Sequence, residues 1–123
     1  MNRYEIALGK RNKAFRFPPT QSITKTLKYM NFCAQNRTTF VADNIPVFIL
    51  EAAMVKMSET TKIPIVVDSK EKALLLSTAH SHSNILSIDN EKISHYSYVI
   101  CYNCSPSSIT GSKPYLVIYA PSR

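Results

Sequence analysis

Cys101-Tyr102-Asn103-Cys104 is the one CxxC in the chain, and two chemistries use that spacing. A redox CxxC needs a helix start behind it, whose dipole and free N–H groups stabilise the thiolate. Here Ser105, Pro106 and Gly111 follow, which spells a loop. Structural zinc needs four ligands, and Cys33, His80, His82 and His95 supply no second CxxC and no HxxxH. The motif therefore reads as a strand end carrying two small apolar residues, with no metal and no cofactor expected. His80-Ser81-His82 falls at a predicted helix end, where protonated imidazoles suit the macrodipole. A Cys33–His dyad is formally open to nucleophilic chemistry, but almost any chain with a cysteine and a histidine allows one.

Carboxylates are few: Asp43, Glu51, Asp68 and Glu71 are the internal ones. Asp68 and Glu71 read as capping residues. Glu51 lies in an apolar run, so it needs a partner such as Lys56 or an N-terminal arginine. A structural pair is expected there rather than a catalytic base. With only Gly9 and Gly111, neither GxGxxG nor GxxxxGK[ST] can be written. No triad, ligand set or phosphate loop is visible, so an enzyme ranks below a binding protein, although scattered active sites escape a single sequence.

Charge is the stronger signal. Between Met1 and Arg37 stand eight Lys/Arg against Glu5 alone, and from Thr38 onward seven basic residues meet seven acidic ones. The net charge of +7 is thus confined to the first third, which suggests one basic surface for an acidic partner. Lys10, Arg11, Lys13 and Arg16 surround a turn, Lys25 and Lys28 lie on the outer face of the next helix, and Phe32 stands beside them. Cations neutralise phosphates while aromatic faces stack on unpaired bases, so these seven residues are the candidate nucleic-acid surface. Such a charged face can equally serve solubility alone.

The elements that must carry these residues follow from periodicity. Residues 3–9 alternate as a half-buried strand, 9–13 form a basic turn and 14–17 return as a second strand before Pro18-Pro19. Residues 1–19 are accordingly a basic hairpin or arm, and 20–123 a helix/sheet body, within one domain of 123 residues. Thr20 or Ser22 caps a helix to about residue 36, with Ile23, Leu27, Met30 and Ala34 on its buried stripe. A strand at 39–42 precedes Asp43-Asn44, either of which can cap a helix over 46–60 that has Pro46 in its first turn and is apolar on nearly every side. A strand at 63–67, a helix capped by Asp68 or Ser69 and running to about 81, and a strand at 85–88 follow. Then come a long strand over 93–103, a hairpin-type loop over 104–113 and a final strand over 115–120.

That order predicts an α+β domain with an α/β-like middle: a mixed sheet, about three helices packed on it, and an antiparallel C-terminal hairpin. The favoured function is a small basic accessory protein that binds DNA or RNA through the N-terminal hairpin and first helix. The alternative is an adaptor or oligomeric subunit using Tyr96, Tyr98, Tyr102, Tyr115 and Tyr119 on the C-terminal strands, where an edge strand would pair with an acidic protein partner or a second copy. No signal peptide or transmembrane run is readable, and three cysteines are an odd count, so a cytoplasmic protein with reduced thiols and no membrane partner is expected.

Overall fold

A computed structural model describes residues 13–121, and in it six strands form one sheet in the order β1-β2-β6-β5-β3-β4. The strands are β1 (Ala14–Arg16), β2 (Thr39–Val41), β3 (Ile65–Val67), β4 (Ile85–Ser87), β5 (Tyr98–Tyr102) and β6 (Lys113–Tyr119). Every pairing between them is parallel. Three helices connect the first four strands: α1 (Ile23–Asn36), α2 (Val47–Thr61) and α3 (Lys70–His80). The expected strand at 3–9, with Lys10 and Arg11 in its turn, lies outside the described residues.

The chain crosses the sheet in one direction from β1 to β4 and then runs back through β5 to β6. Right-handed crossovers put connections of opposite sense on opposite faces of a parallel sheet. Accordingly Leu50, Met54 and Leu76 of the helices pack with Phe40, Ile65, Ile100, Leu116 and Ile118. The other face joins Val66, Val99, Cys101 and Val117 to Ile93 and Cys104 of the returning connections. Alternating residues of one strand thus serve two cores, and the strands read as continuous apolar runs because both faces are covered.

The C-terminal hairpin and the mixed sheet are corrected: β5 and β6 are parallel, central strands, and the fold is α/β. A serine/proline loop suits a tight turn equally well, but here Cys104, Ser105 and Pro106 are buried. They hold the loop down along the sheet, with Cys104 Sγ donating to the Val66 carbonyl at 3.3 Å. Ten residues, 103–112, can span about 33 Å, ample to run back past a five-residue strand of about 17 Å. A short 3₁₀ turn, Pro106–Ser108, lies within that return. Gly111, at φ +84° and where an added Cβ would stand a tight 3.0 Å from Ser94 Cβ, then swings the chain into β6.

The long strand expected over 93–103 is also shortened. Asn90 caps a 3₁₀ helix, Glu91–His95, so β5 begins only at Tyr98. With β5 and β6 in the interior, β1 and β4 are the sheet's edges among the described residues, and the tyrosine-bearing strands offer no free edge for strand addition.

Ser22 and Ser69 cap α1 and α3 through side-chain bonds to Lys25 N and Lys72 N, as the sequence suggests. Asp43 and Asn44 do not cap α2: its N-cap is Pro46, without a side-chain bond. Asp43 instead binds Arg16 at 2.6 Å, and Asn44 donates to the Phe17 carbonyl at 2.9 Å. Both bonds tie the β1 edge to the β2–α2 corner.

Candidate functional site

The two ends of the sheet carry different side chains. At the amino end, the chain enters β1 at Lys13, β2 after Arg37 and β6 at Lys113. The parallel register stacks these entries side by side and lines a groove of about 870 Å³ with Lys13, Arg37, Lys113, Asn36, Tyr98 and Tyr115. Among the described residues no Asp or Glu contributes to its lining. Tyr98 is 47% exposed. Tyr115 is the extra residue at the β5–β6 irregularity, where Val99 pairs Pro114 and Ile100 pairs Leu116. That bulge also accommodates Pro114 inside a central strand.

The groove continues onto α1. Lys25, Lys28, Phe32 and Asn36 are all exposed, and their spacing places them on one helical stripe. Eleven residues at 1.5 Å each make that stripe about 16 Å long, and its last member, Asn36, belongs to the groove. Phe32 is held edge-on by Phe15 at 5.2 Å and by Phe17 at 5.6 Å, leaving 40% of its surface open. Of the sequence-predicted surface, then, Lys13, Lys25, Lys28 and Phe32 join one track. Arg16 stands at the other end of β1, bonded to Asp43. Arg37 and Lys113 were not singled out from sequence; only strand register brings them beside Lys13.

At the carboxyl end a crevice of about 730 Å³ opens between α2, α3 and the ends of β2, β3, β5 and β6. Neighbouring strands β3 and β5 send their connections to opposite faces, and ligand sites in parallel sheets form at such switch points. Val47, Val67, Leu75 and Leu76 wall the crevice, and Glu51 and Tyr102 bring polar groups into it. Glu51 Oε2 accepts from the Tyr102 hydroxyl at 2.9 Å, and Oε1 accepts from His80 Nε2 at 3.3 Å. Among the described residues neither Lys56 nor Arg16 is its partner. Phe48 lies over the His80 ring at 5.2 Å, and the imidazole is only 7% exposed. Burial first, then the Glu51 charge and hydrogen bond, push the Tyr102 phenol well above its ordinary range, so it stays a donor. Asn103, in the left-handed region at φ 54°, clamps Ala120 with two amide bonds of 2.7 Å and closes the rim.

Cys33, Cys101 and Cys104 are buried and form no disulfide, and among the described residues no three His, Cys, Asp or Glu side chains converge as metal ligands. Ser58 Oγ donates to the Ile63 carbonyl and so accepts from His82 Nε2 at 3.0 Å. Burial lowers the His82 pKa, which makes it a neutral link between α2 and the α3–β4 turn rather than a cation at a helix end. Of the five tyrosines, Tyr98 is exposed, while Tyr96, Tyr102, Tyr115 and Tyr119 are half-buried. No helix among the described residues is long and apolar enough to cross a membrane. The chain matches no protein-family model, no curated protein and no solved structure.

Proposed function

We propose that this protein binds nucleic acid, inside the cell, along the track that runs down α1 and into the groove at the amino end of the sheet. The observation that carries this reading is the lining of that groove, which combines Lys13, Arg37 and Lys113 with Tyr98 and Tyr115 and holds no acid among the described residues. With Lys25 and Lys28 the track holds five cations, each able to neutralise a phosphate and release counterions. Half-open tyrosines between cations favour unpaired bases, since stacking needs an accessible π-face rather than a groove edge. The ligand is therefore a single-stranded segment of DNA or RNA. Three buried thiols, none in a disulfide, suit a reducing compartment.

The test is fluorescence anisotropy with labelled single- and double-stranded DNA and RNA, from about 50 to 200 mM salt. Binding to single strands is expected to weaken with a log–log slope of about 0.7 per neutralised phosphate. Replacing Lys13, Arg37 and Lys113 by Gln is expected to make that slope shallower by about 2. Absence of binding at the lowest salt, or an unchanged slope in the triple variant, overturns the assignment.

A further inference from the structure

The crevice at the carboxyl end takes no part in that track, and its chemistry is of another kind. Its ionisable lining consists of Asp43, Glu51, Lys72 and Tyr102. Asp43 is bonded to Arg16 and Lys72 to Asp68, at 2.6 and 3.0 Å, so these four charges cancel in pairs. Glu51 has no lysine or arginine beside it among the described residues; its partners are a phenol and an imidazole. One holds each carboxylate oxygen. A carboxylate accepts about four hydrogen bonds and these two rings supply two, which leaves acceptor positions for a group entering the crevice. Only 20% of the Glu51 side chain is exposed, so solvent meets it through that opening. Around it, Val47, Val67, Leu75 and Leu76 offer apolar walls, and the volume lies within the range of about 300–1,000 Å³ that small ligands occupy.

We propose that this crevice binds a small organic cation, a protonated amine on an apolar, ring-sized body, with its ammonium group on the Glu51 carboxylate. The amine donates to the open lone pairs, making a charge-assisted hydrogen bond in a partly desolvated site. Its body covers Val47 and Leu75, which are 59% and 63% exposed at the crevice mouth. Anionic ligands are disfavoured, because the Glu51 carboxylate faces the volume they would fill and no lysine or arginine among the described residues offsets it. Tyr102 and His80 act as positioning residues, since they hold the carboxylate without themselves carrying the ligand.

The test is ¹⁵N–¹H NMR of the full chain titrated with 2-phenylethylamine, with 2-phenylethanol and 3-phenylpropionate as neutral and anionic counterparts. The amine is expected to shift the amides of Glu51, Leu75 and Tyr102 saturably, and to bind about tenfold more tightly than the alcohol. Glu51→Gln is expected to reduce amine binding to the level of the alcohol. Ala79→Phe places a ring in the crevice from an exposed helical position, so it is expected to fold normally and to abolish binding of all three probes. Equal binding of the three probes to the parent chain overturns the proposal. So does unchanged binding in the Ala79→Phe variant, or the absence of saturable shifts at about 10 mM amine.

Discussion

The amino and carboxyl ends of the sheet belong to the same six strands, yet they carry different charged residues. Asp43, Asp68 and Asp89 follow the ends of β2, β3 and β4 within two residues. Lys13, Arg37, Lys62 and Lys113 stand at or just before the starts of β1, β2, β3 and β6. Part of this contrast follows from topology alone. Helices that run antiparallel to parallel strands gather their N-termini at the carboxyl end and their C-termini at the amino end, and those dipole ends favour acids and cations respectively. Arg37 and Lys62, the C-caps of α1 and α2, fit that account. Lys13 precedes β1 and Lys113 begins β6, neither ending a helix, and the dipole gives no reason for Tyr98 and Tyr115 between them. At the other end, the dipole explains a surface aspartate but not Glu51, which sits in a crevice with two aromatic donors. What exceeds the helix dipole at each end is what points to a ligand.

The largest expected effect separates the two ends. The Lys13/Arg37/Lys113→Gln variant is expected to lose about 100-fold in single-strand affinity at low salt. Removing Arg16 and Lys72 at the carboxyl end is expected to change affinity by less than about twofold, because both are already paired. Equal losses in the two variants, read by anisotropy, would make the binding a response to net charge alone.

Tyr102→Phe probes the carboxyl end by itself. It removes one donor from a partly buried carboxylate, which is expected to cost about 1–2 kcal/mol in denaturant unfolding. Nucleic-acid affinity is expected to stay unchanged. A parallel loss of affinity would mean that the ends are coupled.

A smaller effect is expected at the amino end, with opposite signs for stability and binding. Arg37 and Lys62 adopt left-handed backbone at φ 53° and 62°, where glycine is preferred. Each →Gly replacement is expected to stabilise the fold by roughly 0.5–1 kcal/mol. Only Arg37→Gly is expected to weaken nucleic-acid binding, since Lys62 lies outside the groove lining. A loss of stability in Arg37→Gly would show that its side chain serves the fold.

The pH dependence is expected to be the mildest signal. His82 has a lowered folded pKa, so below its ordinary value near 6.5 the unfolded chain takes up the proton first. Stability from this site is full above that value and falls as pH drops toward the folded pKa. Melting temperature is expected to fall between about pH 7.5 and 5.5, and to fall less in His82→Gln, whose amide can still donate to Ser58. Identical pH profiles would remove His82 from the account.

The sequence showed its local features well and its long-range ones poorly. The cap of α1 was legible as Thr20 or Ser22 and that of α3 as Asp68 or Ser69, because a cap is decided within three residues; Ser22 and Ser69 take the role, and Asp68 pairs with Lys72 instead. The burial of Leu50, Ala53, Met54, Val55 and Met57 was readable from an all-round apolar helix. The direction of β6 was not, because parallel and antiparallel returns use the same loop composition, and the choice rests on which sheet face buries Cys104 and Pro106. The same limit hid the site residues. Glu51 was legible as an acid in need of a partner, but His80 and Tyr102 lie 29 and 51 residues away. Lys13 was legible as a cation, but Lys113 reaches it only across strand pairings of β1-β2-β6.

The claim that nucleic acid occupies one end of the sheet is tested most directly by ¹⁵N–¹H NMR of the full chain titrated with a short single-stranded oligonucleotide. The account predicts shifts at Lys13, Phe32, Arg37, Tyr98 and Lys113, with the amides of Glu51 and Leu75 unmoved. Shifts centred on Glu51 and Leu75, or none at the amino end, would contradict it.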